Sequence, residues 1–348
     1  MNPSDTVLSS AFDQLDSWLV EQQEKKRTLD PVFCRHLEAA RELKQAGWRP
    51  ANTQNTYLKD FEVPQIVLFD ILTNRFPLVK TAQQVAEDLF IKTAKEAESV
   101  CLIDIGIGRG FQVMRLLDSL QANTNVSSVF VLGIEISKEA IRFTEKELSD
   151  RAATSRFKLD FQILHTAVEQ ISWDQVRSLL PSNSSCLLVN ASLCLHHIQG
   201  QADRMKLFEQ VQKLSPDLFI VIEPNADTNN EDYPKRLLNA VEHFSSLYDY
   251  VNLLPFDSAE SNSLKTFFSN DFIDPVVYPD ECRFERLQTA SQWSLNAQAA
   301  GLQQVDVFSE ASGISIPHLE KLAHEAPTLT FSFEKIPLLS VMGFKGSR

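Results

Sequence analysis

The 348-residue sequence predicts an α/β fold in which a mainly parallel sheet carries helices on both faces. Two observations carry this prediction. From residue 99 onward, short apolar runs alternate with helical segments, which is typical of strands that are buried on both faces. A strand, a glycine-rich turn and a helix also follow one another over 100–117, and this unit holds nucleotide-like ligands in such folds.

The predicted elements alternate in chain order. Five strands are expected at 99–105, 129–136, 159–164, 185–191 and 217–223. Four helices are expected at 110–121, 137–150, 167–179 and 201–214. Nearer the C-terminus, the pattern predicts a helix over 284–300 that Gly301 stops. Strands at 304–308 and 331–344 are expected to form an antiparallel, hairpin-like edge of the sheet, with a helix over 318–324 between them.

Two segments outside this alternation show helical spacing without strand character. Residues 1–97 form the first of them, and 233–266 form the second, directly after the fifth strand. We expect 98–348 to be the core and 1–97 to be an N-terminal helical cap segment, which the insertion at 233–266 joins. A cap over the strand ends would exclude water and supply the contacts to a substrate.

The glycine-rich turn predicts the ligand. Asp104 ends the first strand, and Gly106, Gly108 and Gly110 follow at alternate positions. The dinucleotide fingerprint is GxGxxG, and a carboxylate at the position of Asp104 would repel a pyrophosphate. S-adenosylmethionine carries an ammonium and a sulfonium but no phosphate, so the sequence predicts this methyl donor as cofactor and disfavours a dinucleotide oxidoreductase.

Other predicted ligand contacts follow from the strand ends, because ligands bind at the carboxyl ends of parallel strands. An acid at the end of the second strand can accept both ribose hydroxyls. The expected contacts are Glu135 to the ribose, His165, Thr166 and Ala167 to the adenine, and Asn190 and Ala191 to the methionine part. Arg109 is interpreted either as a contact to the donor carboxylate or as a surface arginine.

Methyl transfer needs alignment of donor and acceptor and sometimes a base for the acceptor proton. His196 and His197 are the candidate bases, because imidazole titrates near neutral pH, and Glu223 is a second candidate. The alternative interpretation is that these side chains only shape the floor of the pocket. No metal site is predicted, because the five cysteines lack the spacing of metal ligands.

Composition excludes some partners. A net charge of −13 argues against a general nucleic-acid binder, and no stretch approaches the length of a membrane span. The scattered, odd-numbered cysteines fit a reducing compartment, and no signal peptide is recognised at Met1, so a cytoplasmic location is expected.

Several segments resemble, in order, the motifs of the GRAS family, and the chain is similar to its bacterial members. These segments are Pro77 to Ala94, the run Leu102-Ile103-Asp104-Ile105 with Gly110-Phe111-Gln112, 187–197, 221–225 with 244–249, and 283–286 with Trp293 and Ala300-Gly301-Leu302. The three intact glycines depart from plant members. The C-terminal stretch 337–344 departs as well, because it lacks a tryptophan.

The resemblance implies a Rossmann-like core of the S-adenosylmethionine-dependent methyltransferase type with a helical cap subdomain. For bacterial members it implies methylation of a small molecule, and for plant members it implies regulation through protein contacts. Two functions are therefore carried forward. The first is a methyltransferase acting on a small, apolar or aromatic acceptor under the cap, and the second is a catalytically silent scaffold that binds a protein partner through the cap.

Overall fold

The computed structural model describes residues 3–49, 68, 70–311, 313–322 and 327–346. Its α-helices are α1 (Pro3–Glu24), α2 (Pro31–Gln45), α3 (Pro77–Thr93), α4 (Phe111–Leu120), α5 (Lys138–Ala152), α6 (Trp173–Leu179), α7 (Gln201–Leu214), α8 (Tyr233–Asn252), α9 (Ser258–Val277), α10 (Ala290–Ala299) and α11 (Val307–Glu310). A π-helical turn spans Ile71–Arg75, and 3-10 turns span Val168–Gln170, Leu195–His197 and Asp280–Cys282.

One sheet runs through the described part of the chain. Its strands are β1 (Ser99–Ile105), β2 (Ser128–Glu135), β3 (Lys158–His165), β4 (Cys186–Ser192), β5 (Leu218–Pro224), β6 (Gln303–Val305), β7 (Glu320–Leu322), β8 (Leu329–Phe333) and β9 (Ile336–Lys345). The order is β3-β2-β1-β4-β5-β9-β8-β7, and β6 pairs with the end of β9. The first five strands are parallel, whereas β9 lies antiparallel to β5.

Helices cover both faces of this sheet, as the sequence predicts. Leu102 belongs to the larger of two apolar clusters, whereas the adjacent Ile103 belongs to the other. Successive side chains of a strand point to opposite faces, so the two clusters lie on opposite sides. The α/β fold class is therefore confirmed, and β1, between β2 and β4, marks the point where the strand order reverses.

Four helices form a separate packed group, which we call the helical unit: α1, α2, α8 and α9. α1 packs against α8, and α2 packs against α9. Asp30 caps α2, because its side chain accepts hydrogen bonds from the backbone N–H groups of Val32 and Phe33. Its other oxygen contacts the Lys265 ammonium at 2.8 Å, which ties α2 to α9. The two segments with helical spacing thus contact one another.

α3 behaves differently from the rest of the N-terminal segment. It packs against α4 and against β5 and β9, so it covers the sheet directly. Much of its surface is buried, including Ala82, Ala86 and Phe90. None of the helices in the described ranges combines the length and the apolar character that a membrane span requires.

Several predicted boundaries are wrong. The helix expected over 167–179 is a 3-10 turn followed by α6, and the helix expected over 284–300 begins only at Ala290, where Thr289 caps it. The helix expected over 318–324 is replaced by strand β7 over Glu320–Leu322. The run 331–344 is a hairpin of β8 and β9, because Glu334 and Lys335 adopt positive φ and turn the chain.

Candidate functional site

The glycine turn between β1 and α4 requires glycine for two separate reasons. Gly106, Gly108 and Gly110 have φ of +73°, +53° and +68°, where other residues are strained. A Cβ on Gly106 would lie 2.7 Å from the Cβ of Cys194, and one on Gly110 would lie 2.8 Å from a methyl of Thr144. At Gly108 the nearest atom would be 3.9 Å away, so this residue leaves open space beside the turn.

Asp104 lies buried at the end of β1 and is held by an amide. The Asn190 side chain donates a hydrogen bond to the Asp104 carboxylate at 2.9 Å and another to the side-chain oxygen of Gln112 at 3.1 Å. Burial raises the pKa of Asp104 to about 7, which the Asn190 hydrogen bond opposes and the charge of Glu135 supports. The carboxyl group is therefore poised to ionise when a cation approaches.

Glu135 ends β2, and its carboxylate is held by backbone groups. One oxygen accepts from Gly108 at 2.8 Å, and the other accepts from Ile136 and Ser137 at 2.8 Å each. The Glu135 oxygen that accepts from Gly108 keeps a further lone pair for a ligand hydroxyl. The Glu135 side chain thus stabilises the turn and can also accept a hydrogen bond from a ligand.

A cavity of about 480 Å³ opens along these residues. This volume lies within the usual range for sites that bind small molecules. Most of the lining is apolar, with a few polar groups. The lining residues used below are Leu72, Thr73, Gln83, Asp104, Gly106, Gly108, Arg109, Gly110, Gln112, Glu135, Thr166, Ala167, Asn190, Ser192, His197 and Phe284.

Some predicted site residues lie elsewhere. His165 is exposed, and its Nε2 lies 3.0 Å from the carbonyl oxygen of Ile136. Ala191 is fully buried in the sheet and is absent from the cavity lining. Arg109 does line the cavity, and its guanidinium lies 3.8 Å from the ring centroid of Phe143.

The three candidate catalytic residues differ in their position relative to the cavity. Glu223 accepts hydrogen bonds from the backbone N–H groups of Cys194 and Leu195 and lies 2.5 Å from Nδ1 of His196. Both Glu223 and His196 are buried behind the cavity wall, so Glu223 positions the turn after β4 and does not face an acceptor. Only His197 of the three lines the cavity.

Glu285 joins this group from a distant part of the chain. Its carboxylate lies 3.0 Å from Nδ1 of His197 and 3.5 Å from Nε2 of His196. Burial lowers the pKa of His197, but the charge and hydrogen bond of Glu285, together with the charges of Glu223 and Asp274, outweigh burial and raise the pKa above its ordinary value. Sequence reasoning missed Glu285 as a site residue, and its place in the Arg283-Phe284-Glu285-Arg286 segment is the only signal that marked it.

The predicted contacts from the cap are met only in part. Leu72, Thr73 and Gln83 from the N-terminal segment line the cavity. Among the described residues, none from 233–266 does so, because α8 and the start of α9 pack against α1, α2 and the β8–β9 hairpin instead. The sequence prediction that 233–266 supplies acceptor contacts is therefore not supported by this lining.

The strand order, the glycine turn and the acid at the end of β2 define a Rossmann-like protein with a methyltransferase-type sheet. Comparison with known proteins narrows this class. The model of the GRAS domain family matches residues 35–325, and the chain belongs to that family.

Curated relatives agree with this assignment. Scarecrow-like protein 34 of Arabidopsis thaliana is 25% identical over 274 residues, which cover 74% of this chain and 43% of that protein. DELLA protein RGL1 of the same plant is 25% identical over 239 residues, which cover 68% of this chain and 46% of that protein. The chain thus spans less than half the length of these relatives. Both are plant proteins, so the bacterial branch of the family stays a prediction.

Solved structures support the fold. The crystal structure of SCL7 in Oryza sativa superposes with a TM-score of 0.71 at 19% identity, covering 80% of this chain and 83% of that one. The citrinin polyketide synthase CMeT domain reaches a TM-score of 0.48 at 12% identity, covering 85% of this chain and 60% of that one. The second likeness is too distant for any functional argument.

Proposed function

We propose that this chain is a GRAS-type regulatory protein that binds a protein partner through its helical unit and holds an S-adenosylmethionine-type ligand in its cavity. The observation that carries the proposal is the extent of the family match. Residues 35–325 include part of α2, all of α8 and α9, and most of the sheet. The matched part of the helical unit, which is α8, α9 and part of α2, lines none of the described cavity, and this favours a role for it other than ligand binding.

The helical unit has exposed apolar side chains on its outer surface. Its interior is closed by its own contacts, among them Phe33 against Phe272 at a centroid distance of 5.3 Å. Val20 on α1 is 54% exposed, and Leu253 at the end of α8 is 47% exposed. With a net charge of −13, a protein is a better partner for this surface than a nucleic acid.

The polar groups that line the cavity match the polar groups of S-adenosylmethionine. Asp104 would take the ammonium, Glu135 the ribose hydroxyls, and Thr166 and Ala167 the edge of the adenine. Asn190 would face the methionine part while it orients Asp104. The pair of carboxylates disfavours a pyrophosphate, so an adenosine with a cationic tail fits better than a dinucleotide.

Methyl transfer to a small acceptor is the second candidate function. It is favoured by the cavity lining outside the glycine turn, which includes the side chains of Leu72, Thr73 and Phe284 and the imidazole of His197. An apolar or aromatic acceptor held there could be aligned with the sulfonium, and alignment supplies much of the rate enhancement. The apolar or aromatic character of the acceptor is inferred from these lining residues alone.

Calorimetric titration tests the ligand that both candidate functions share. We expect S-adenosylhomocysteine to bind with a dissociation constant in the micromolar range, roughly −8 kcal/mol, and NADH to show no binding. Absence of S-adenosylhomocysteine binding at millimolar ligand would remove the ligand from the proposal.

Transfer of a labelled methyl group then distinguishes the two functions. The full chain is incubated with methyl-labelled S-adenosylmethionine and a small-molecule extract of the source cells. The regulatory proposal predicts ligand binding without labelled product, and crosslinks to a protein partner that map to α1 or α8. A labelled small molecule that disappears with Asp104→Ala would overturn it in favour of the enzyme.

A further inference from the structure

We propose that His196, His197 and Glu285 form a binding site for a transition metal ion, for which Zn²⁺ is the best match. One ligand atom from each of the three side chains lies within 4.8 Å of the others. The site adjoins the cavity of the proposed function through His197, but none of its residues belongs to the glycine turn or to the helical unit.

The distances fit a tetrahedral ion. Zn²⁺ binds histidine nitrogen at about 2.0–2.1 Å and carboxylate oxygen at about 2.0–2.2 Å, so neighbouring ligand atoms lie about 3.3–3.5 Å apart. In the structure the Glu285 oxygen lies 3.5 Å from Nε2 of His196 and 3.0 Å from Nδ1 of His197. The ligand nitrogens of the two histidines lie within 4.8 Å of one another, so the imidazole rings would have to approach each other for an ion to bind.

Glu223 provides the outer support that metal-bound histidines usually have. Its carboxylate accepts a hydrogen bond from Nδ1 of His196 at 2.5 Å, which leaves Nε2 of the ring as the metal-binding atom. Glu223 is itself fixed by the backbone N–H groups of Cys194 and Leu195. Nε2 of His196 and the Glu285 oxygen, 3.5 Å apart, then face one another as acceptors, while the same oxygen lies 3.0 Å from Nδ1 of His197. A cation among the three atoms would take the place of the proton that His197 shares with Glu285.

Charge and ligand type agree with a divalent ion. Glu223 and Glu285 bring two buried carboxylates, and the side chains of both are at most 1% exposed. Of the nearby arginines, Arg283 pairs with Asp274, and Arg286 donates to the carbonyl oxygen of Asp280. Two imidazoles and one carboxylate suit Zn²⁺, whereas Mg²⁺ and Ca²⁺ prefer oxygen ligands.

His197 connects the proposed metal site to the cavity. His197 lines the cavity, while His196 and Glu285 lie behind it, so a fourth position on the ion would face the cavity. Three protein ligands with one position open are typical of zinc sites that bind a water or a ligand. The site would therefore present a Lewis acid to whatever molecule enters beside the glycine turn.

The test is titration of the chelator-treated full chain with Co²⁺, a spectroscopic substitute for Zn²⁺, followed by displacement with Zn²⁺. We expect one equivalent of Co²⁺ to bind with visible absorption bands of a four-coordinate nitrogen and oxygen site. His197→Asn and Glu285→Gln should weaken binding by at least tenfold, and Glu223→Gln by about 10–100-fold, as for outer-shell partners. His165→Asn, which changes an exposed histidine outside the cluster, should leave binding unchanged.

Two results would overturn the proposal: no Co²⁺ binding at stoichiometric concentrations, or binding that His197→Asn and Glu285→Gln leave unchanged. Either result would assign the pair of His197 and Glu285 to proton sharing instead. Circular dichroism and thermal melting verify that each variant folds, and His197→Asn, at the cavity wall, keeps the test valid if Glu285→Gln does not. Titration with S-adenosylhomocysteine on the same samples reports separately on the proposed ligand.

Discussion

The Glu135 carboxylate accepts a hydrogen bond from the backbone N–H of Gly108 at 2.8 Å, which joins the end of β2 to the middle of the glycine turn. The same side chain also accepts from the two residues that follow it. An acid that the sequence assigns to a ribose therefore has a second task, because it fixes the loop against which the ligand would lie.

The first prediction concerns this second task. Glu135→Ala should lower the free energy of unfolding by about 1.5–3 kcal/mol, since hydrogen bonds to a charged group contribute this much. It should also weaken S-adenosylhomocysteine binding. Urea unfolding and calorimetric titration measure the two effects. Glu145→Ala, on the exposed face of α5, is the control and should stay within about 0.5 kcal/mol of the wild type. Equal stability of both variants would contradict the role of Glu135 in the turn.

The second prediction compares two glycines of the same turn. Both Gly106→Ala and Gly108→Ala place a side chain at positive φ, which costs about 1–2 kcal/mol. Gly106→Ala adds a contact of 2.7 Å to the Cβ of Cys194, so it should be the more destabilising variant by at least about 1 kcal/mol. Gly108→Ala should keep the fold but weaken ligand binding, because its methyl group enters the cavity side of the turn. A reversed order in urea unfolding would show that the turn is not held as described.

The third prediction concerns pH. Because the folded pKa of Asp104 is raised to about 7, the folded state binds an extra proton between about pH 4 and pH 7. Stability should therefore fall as pH rises through this range, by up to about 1.4 kcal/mol per pH unit, and Asp104→Asn should remove this part of the dependence.

Ligand affinity should change in the opposite direction. A ligand ammonium binds the ionised form of Asp104, so S-adenosylhomocysteine should bind more tightly as pH rises from 5 to 7 and then level off. Calorimetry across this range checks the slope, and Asp104→Asn should flatten it. Affinity that is independent of pH in the wild type would remove Asp104 from the ammonium site.

The sheet and the glycine turn could be predicted because their signals are local. The apolar run of β1, its terminal acid and the three glycines are contiguous, and the alternation of strands and helices follows from side-chain period alone. The sequence predicts one strand where the structure has the hairpin of β8 and β9, because the turn at Glu334 and Lys335 contains neither glycine nor proline.

The histidine cluster could not be predicted in full, because its members come together only in the fold. His196 and His197 lie on a turn after β4, whereas Glu285 lies almost ninety positions later in an irregular segment. Nor does a sequence show that Glu223 is already occupied by the backbone of Cys194 and Leu195. Long-range contacts of this kind decide which polar side chains face a cavity.

The last prediction concerns the helical unit. Lys265 on α9 contacts Asp30 at 2.8 Å and the Asn252 side chain at 2.6 Å, and the side chains of Lys265 and Asp30 are each only 4% exposed. Lys265→Met would leave the Asp30 carboxylate buried without its cation. Loss of one partner of a buried pair costs about 3–5 kcal/mol, so the free energy of unfolding should fall by that amount at pH 7.

The exposed pair of Arg41 and Asp16 supplies the control on α2. Arg41→Met should cost less than about 1 kcal/mol, because water already screens that pair. Burial raises the pKa of Asp30, but its hydrogen bonds to Lys265 and Asn252 outweigh burial and lower the pKa in the folded chain. The wild type therefore loses this contribution only below about pH 4. In Lys265→Met the buried Asp30 carboxyl lacks its cation and can take a proton already near pH 4, so the defect should shrink there. A defect no larger than that of Arg41→Met at pH 7 would show that apolar packing alone holds α2 against α9.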